Sequence, residues 1–211
     1  MQCTELSAVW HGRDDLRMST GRTGGFTLLE MMIALVVLAV LLAVVAPGFS
    51  NLIKNNRMLS EVYGLRAALN GARSEALAQR TVVTLCRHDV DDEPCEGDEC
   101  DCSGDGWSKG YIAFVDADGN GEADDPNNPQ VFVAKLVDAD TLNITYIGGG
   151  GTDPEDNVVS FDSQGYARDS NGVFTFCDDR GESSARRLEV TPVGVVRSLD
   201  PNDPPTPVQC P

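Results

Sequence analysis

The hydrophobic pattern divides the chain into three stretches. From Phe26 to Ala46 the residues read FTLLEMMIALVVLAVLLAVVA, 21 positions interrupted by a single charge, Glu30. At a helical rise of about 1.5 Å per residue this run reaches about 32 Å, enough to cross a bilayer. It is longer than a secretory h-region, and no small-x-small cleavage site follows it, so the reading is a spanning helix rather than a removable signal or a buried core helix. A carboxylate near the end of such a span is costly without a partner, which makes Glu30 a functional candidate. The competing explanation is a glutamate that snorkels to the interface.

Pro47-Gly48 is expected to loosen or kink the helix, which then resumes. From Phe49 to about Gln79 the residues Leu52, Leu59, Val62, Tyr63, Leu65, Leu69, Ala72, Ala76 and Leu77 fall mainly on one helical stripe, predicting a face that packs on a sheet. Beyond Arg80 the period shortens to two. Strands are predicted at Val82–Cys86, Gly110–Val115, Val131–Leu136, Leu142–Ile147, Val158–Phe161, Val173–Cys177, Arg187–Thr191 and Val193–Arg197. The separators are Gly, Asp, Asn and Pro, as antiparallel sheets require. The fold class is therefore α+β: a long N-terminal helix, membrane-spanning in its first half, packed on an antiparallel β-sheet domain. The tail DPNDPPTPVQCP is extended and proline-rich.

Charge and composition narrow the function. Of 211 residues, 33 are acidic and 16 basic, a formal net charge of −17, so most of the surface would repel nucleic acid. Seven cysteines against two histidines disfavour a histidine-built metal site or triad and point to an oxidising compartment. The chain has no H-E-x-x-H, and Gly148–Gly151 reads as a flexible linker, so no enzymatic activity is expected.

Gly24-Gly25 stands directly before the apolar run, and GGFTLLEMMIALVVLAVLLAVVAPGF resembles a type IV prepilin. The resemblance implies cleavage by prepilin peptidase between Gly25 and Phe26, N-methylation of Phe26, and a role for Glu30 in assembly, paired with the Phe26 amine of a neighbouring subunit. Residues 1–25 would be the leader. Met18 offers a better start, giving the short leader MSTGRTGG, so residues 1–17 are expected to be a mis-assigned start. The remaining divisions are 26–46, the transmembrane half of the helix; 47–80, its amphipathic half; 81–199, a periplasmic β domain; and 200–211, the tail.

Downstream, ALNGARSEALAQRTVVTLCR, DGWSKGYIAFVDADGNGEAD and FTFCDDRGESSARRLEVTPVGVVR are similar to the FimT/GspH group of minor pilins and pseudopilins. That similarity implies a minor pilin taking part in pilus initiation or a tip complex, held in the inner membrane by one span and then moved into the pilus. The implied partners are other pilin subunits, prepilin peptidase and the inner-membrane assembly platform. The alternatives are a GspH-like pseudopilin of type II secretion, a DNA-binding minor pilin for transformation, and a membrane-anchored calcium-binding module that never assembles.

Removing the leader discards Cys3 and leaves six cysteines: Cys86, Cys95, Cys100, Cys102, Cys177 and Cys210. Cys100 and Cys102 lack the C-x-x-C pairing of a zinc ribbon, so disulfides are favoured. Six cysteines allow 15 pairings, and the sequence does not choose among them. The pairing expected is Cys86 with a cysteine of the Cys95–Cys102 segment, and Cys177 with Cys210.

Two further sites are candidates. Asp116, Asp118, Asn120, Glu122 and Asp124 offer alternating oxygens of a calcium loop, with calcium the one cofactor to consider; Asn127 stands where an EF-hand needs glutamate, and a plain hairpin turn explains the same residues. Arg186, Arg187 and Arg197 could contact DNA, a partner implied for some FimT-like proteins by a Gly-Arg-x-Arg element. Here that element reads Gly194-Val195-Val196-Arg197, and fourteen acids face one base, Lys109, between Asp89 and Asp125. Solvated strand-edge charges are the better account.

Overall fold

The computed structural model describes residues 25–88, 102, 106–124, 131–136, 142–148, 158–167, 169–200, 208 and 210. A helix α1 (Leu28–Gln79) is followed by strands β1 (Val83–Arg87), β2 (Gly110–Val115), β3 (Val131–Leu136), β4 (Leu142–Gly148), β5 (Val158–Phe161), β6 (Gly172–Asp178), β7 (Arg186–Val190) and β8 (Val196–Leu199). A short 3₁₀ turn, Glu182–Ser184, precedes β7. The chain divides into two compact units at Gly48/Phe49.

In the first unit the described residues form the apolar part of α1, with side chains exposed from Gly25 to Ala43. The helix is unbroken over Pro47-Gly48, where the sequence predicts loosening. Proline removes one N–H from the ladder, a local loss that the helical bonds on either side outlast.

The second unit contains two four-stranded antiparallel sheets, ordered β3-β2-β1-β5 and β4-β6-β7-β8. Between them and the helix lies one core. Met58, Val62, Leu65, Leu69, Ala72 and Ala76 supply the helical side, at the i, i+3 and i+4 spacing of one face. Val83, Leu85, Ala113, Val159 and Phe161 face it from the first sheet, and Ile144, Phe174, Phe176, Leu188 and Val190 from the second. Each large side chain buried this way contributes roughly 1.5–3 kcal/mol.

The buried seam corrects the predicted stripe. Leu52, Tyr63 and Leu77 are exposed, whereas Met58 and Ala68 are buried. At 100° per residue the first three fall off the line through 58, 62, 65, 69, 72 and 76, so their apolarity does not report contact.

The last predicted strand is displaced as well, running Val196–Leu199 rather than Val193–Arg197. Thr191–Val195 form a tight turn instead. Gly194 N–H donates to the Thr191 carbonyl at 2.8 Å, Val195 N–H to Thr191 Oγ1 at 3.0 Å, and Gly194 sits at φ +75°. An extended strand residue cannot take that conformation.

Candidate functional site

The N-terminal segment follows from local chemistry. Gly25, Phe26 and Thr27 are non-helical, and the helix begins at Leu28. Thr27 is its N-cap: Thr27 Oγ1 accepts from the Glu30 N–H at 3.2 Å, and the Thr27 carbonyl accepts from the Met31 N–H at 3.2 Å. Glu30 thus occupies the third helical position, where a carboxylate favours the positive end of the helix dipole. The Thr-x-x-Glu spacing of a capping box, Thr27 to Glu30, is the signal in the residues for this cap. Behind it the helix is long and apolar enough to cross a membrane.

Among the described residues of the β domain two disulfides are formed. Cys86 of β1 bonds Cys102, and Cys177 of β6 bonds Cys210, which ties the C-terminal tail to the central region of the second sheet. Cys95 and Cys100 lie outside the described residues.

The Asp116 loop is organised by hydrogen bonds of its own. Asp116 is fully buried and accepts from Thr84 Oγ1 at 2.6 Å, Asn120 N–H at 2.9 Å and Gly121 N–H at 3.1 Å. Asp118 accepts from the Asn120 side chain at 3.1 Å, Asp124 from the Ala117 N–H at 2.9 Å, and Asn120 Oδ1 from the Glu122 N–H at 2.7 Å. Asp116, Asp118 and Asp124 bring carboxylate oxygens within 4.8 Å of one another, without Glu122. The buried member has donors on both oxygens, so its evident work is to hold the turn, with Gly119 and Gly121 supplying the positive φ angles. Asn127 lies outside the described residues.

The three arginines do not make one exposed patch. Arg187 is 2% exposed, on β7 opposite Thr175. Arg186 donates to the carbonyls of Ser184 and Ala185 at 3.3 and 3.0 Å, and Arg197 pairs with Glu189 on the neighbouring strand. Arg187 is therefore corrected from a surface contact to a buried side chain.

Contacts between α1 and the turns give Arg73, Arg180 and Lys54 a role that the sequence did not assign them. Arg73 donates from Nε to the Gly165 carbonyl at 3.0 Å and from Nη2 to the Val193 carbonyl at 3.3 Å. Near the start of the unit, Arg180 grips Asp178 through Nε and Nη2 and reaches Asn55 Oδ1 at 3.4 Å, while Lys54 pairs with Asp179 at 2.6 Å. Burial alone would raise the Asp178 carboxyl, but hydrogen bonds and charge from Arg180, with a smaller contribution from Lys54, hold it below its ordinary value. A cavity of about 460 Å³ opens beside this pair, lined in part by Ile53, Met58 and Leu142. Burial, reinforced by the charge of Glu61, pushes the Tyr111 hydroxyl far above its ordinary value.

Sequence comparison places these features. The family model described as "Type II transport protein GspH" matches residues 62–194, and the prokaryotic N-terminal methylation motif matches residues 21–46. The fold is similar to that of the type IV minor pilin FimU of Pseudomonas aeruginosa (strain PAO1), with a TM-score of 0.51 and 20% identity, covering 73% of this chain and 96% of that one. For the minor pseudopilin EpsH from the Type 2 Secretion System of Vibrio cholerae the TM-score is 0.45 and the identity 14%, covering 70% and 99%. No curated protein matches the chain. A long apolar helix leading into antiparallel sheets, behind a methylation motif, defines a pilin-class protein, and the motif and helix together fit membrane anchorage. The chain belongs to the GspH family of minor pilins and pseudopilins, structural subunits that assemble with other pilins.

Proposed function

We propose that this protein is a FimT-like minor pilin of a type IV pilus. Prepilin peptidase cuts between Gly25 and Phe26, Phe26 is N-methylated, and the span at 26–46 holds the subunit in the inner membrane with its β domain in the periplasm. It then enters the pilus as part of an initiating or tip complex. The observation that carries this reading is the continuity of the chain: the methylation motif at 21–46 runs into a membrane-length helix whose continuation lies in the family domain at 62–194. FimU, whose fold is similar, is itself a type IV minor pilin. Exposed Leu28, Leu29, Ile33, Val36 and Leu41 offer apolar surface that neighbouring helices would cover, with Glu30 paired to the Phe26 amine of the next subunit.

The test is the intact mass of the protein from membranes of cells with and without prepilin peptidase. The expected product is a chain beginning at methylated Phe26, seen only when the peptidase is present. A leader retained in both strains overturns the reading.

A second reading, a pseudopilin of type II secretion, is favoured by the family's own description. Deleting the gene separates the two: a pilus subunit costs the cell its surface pili, a pseudopilin costs it the export of folded proteins while pili remain.

A further inference from the structure

The first turn of α1 bears on how the chain is processed. Resting on the reading of Gly25–Phe26 as the cleavage site, we infer that Thr27 is a positioning residue for that step: its hydroxyl caps the helix and keeps the scissile bond outside it. Three observations meet here. Gly25, Phe26 and Thr27 are non-helical and exposed. The Thr27 hydroxyl takes the Glu30 N–H at 3.2 Å, and its carbonyl takes the Met31 N–H at 3.2 Å, the paired bonds that mark where a helix starts. Past Gly25 the residues are Phe-Thr-Leu-Leu-Glu-Met-Met, in which only Thr27 has a side chain suited to that boundary.

The chemistry of cleavage gives the cap its consequence. A peptidase must bring its groups against both the carbonyl and the amide of the bond it cuts, and a bond drawn into a helix has those groups turned into the ladder. Exposed, non-helical backbone is accordingly where peptidases act. The N-cap at Thr27 sets the boundary one peptide unit beyond the scissile bond, so a weaker cap lets helix spread onto Phe26 and lowers the fraction of chains presented in extended form. Cleavage that is slow relative to helix fraying follows that fraction. A complete capping box would also turn the Glu30 carboxylate back to the Thr27 N–H; among the described residues that return bond is not made. The carboxylate is left for the assembly contact.

The experiment is pulse-chase processing of the full-length chain in membranes of peptidase-bearing cells, read as the precursor-to-mature ratio by mass, for wild type and for Thr27→Ser, Thr27→Asn, Thr27→Val and Thr27→Ala. Serine and asparagine cap at least as well as threonine and are expected to be cut at or above the wild-type rate. Valine keeps the shape of threonine but has no acceptor, and with alanine it is expected to be cut more slowly, by up to about fivefold. Thr27 lies outside the compact unit that begins at Phe49, so the substitutions leave the core intact. Valine cut at the wild-type rate overturns the inference, as does asparagine slowed as much as valine, which would mean that the peptidase reads the threonine itself. A wild-type chain left uncut overturns the processing reading along with it, an outcome distinct from both.

Discussion

Arg73 on the helix donates from Nε to the carbonyl of Gly165 at 3.0 Å, and Gly194 lies against the same pair. A Cβ on Gly194 would stand 1.9 Å from the Gly165 carbonyl oxygen and 2.9 Å from Arg73 Nε, and its φ of +75° disfavours any side chain. One guanidinium thus fastens α1 to two turns, one leaving β5 and one joining β7 to β8. Replacing Arg73 with Ala takes the donor from the part-buried Gly165 carbonyl, while the exposed Val193 carbonyl turns to water, and is expected to cost about 1–3 kcal/mol. Gly194→Ala is expected to cost at least as much, because the backbone must move apart. Denaturant midpoints of the two variants check this, and an unchanged midpoint for Gly194→Ala would refute the crowding.

The end of α1 contains a local conflict with a simple remedy. Arg80 follows the last helical residue at φ 56°, and the Thr81 N–H reaches the Ala76 carbonyl at 3.3 Å, the bond of a glycine-type helix stop. A non-glycine residue in that conformation costs roughly 1–2 kcal/mol, part of which glycine returns as unfolded-state entropy. Arg80→Gly is therefore expected to stabilise the fold by up to about 1 kcal/mol, seen as a raised thermal midpoint.

How far these features were legible depended on their range. The strands at 110–115, 131–136 and 158–161 stand where the alternation of side chains places them, because period two is written into a few consecutive residues. The apolar helix and the methylation motif were legible for the same reason. Arg73 was not, since its partners are 92 and 120 residues away and no spacing signals them. Leu52 and Tyr63 misled because an exposed apolar residue on a helix looks the same in sequence as a buried one. Arg187 misled in the opposite sense: two adjacent arginines in a strand point to opposite faces, and the sequence does not say that the face carrying Arg187 is covered.

The Cys177–Cys210 bond closes 33 residues of chain and is the described covalent tie of the tail to the sheet. The chain-entropy account gives such a closure about 3–4 kcal/mol, slightly more than the 16-residue separation of Cys86–Cys102. Cys210→Ser is accordingly expected to lower stability by about 3 kcal/mol and to leave Cys177 titratable by a thiol reagent after mild denaturation. A variant as stable as wild type would show that the tail adds nothing to the fold by its closure.

The Asp178–Arg180 pair gives the fold a testable response to acid. The Asp178 side chain is only 6% exposed and Arg180 17%, so solvent screens the pair little. Because the folded carboxyl lies below its ordinary value of 3.8, the charged form is the one the fold prefers. Its contribution is then fully present above pH 3.8 and is lost as pH falls through the lowered folded value. Asp178→Asn keeps the shape, surrenders the charge-assisted bonds, and is expected to cost about 2 kcal/mol near neutral pH. The gap between wild type and variant should stay constant from about pH 5 upward and narrow as pH falls further, since wild type then loses what the variant never had. Urea unfolding of both proteins between pH 7 and pH 2 measures that gap directly. A gap of unchanged size at pH 2 would mean that the carboxylate's charge contributes nothing, and that Asp178 acts through shape and neutral hydrogen bonds alone.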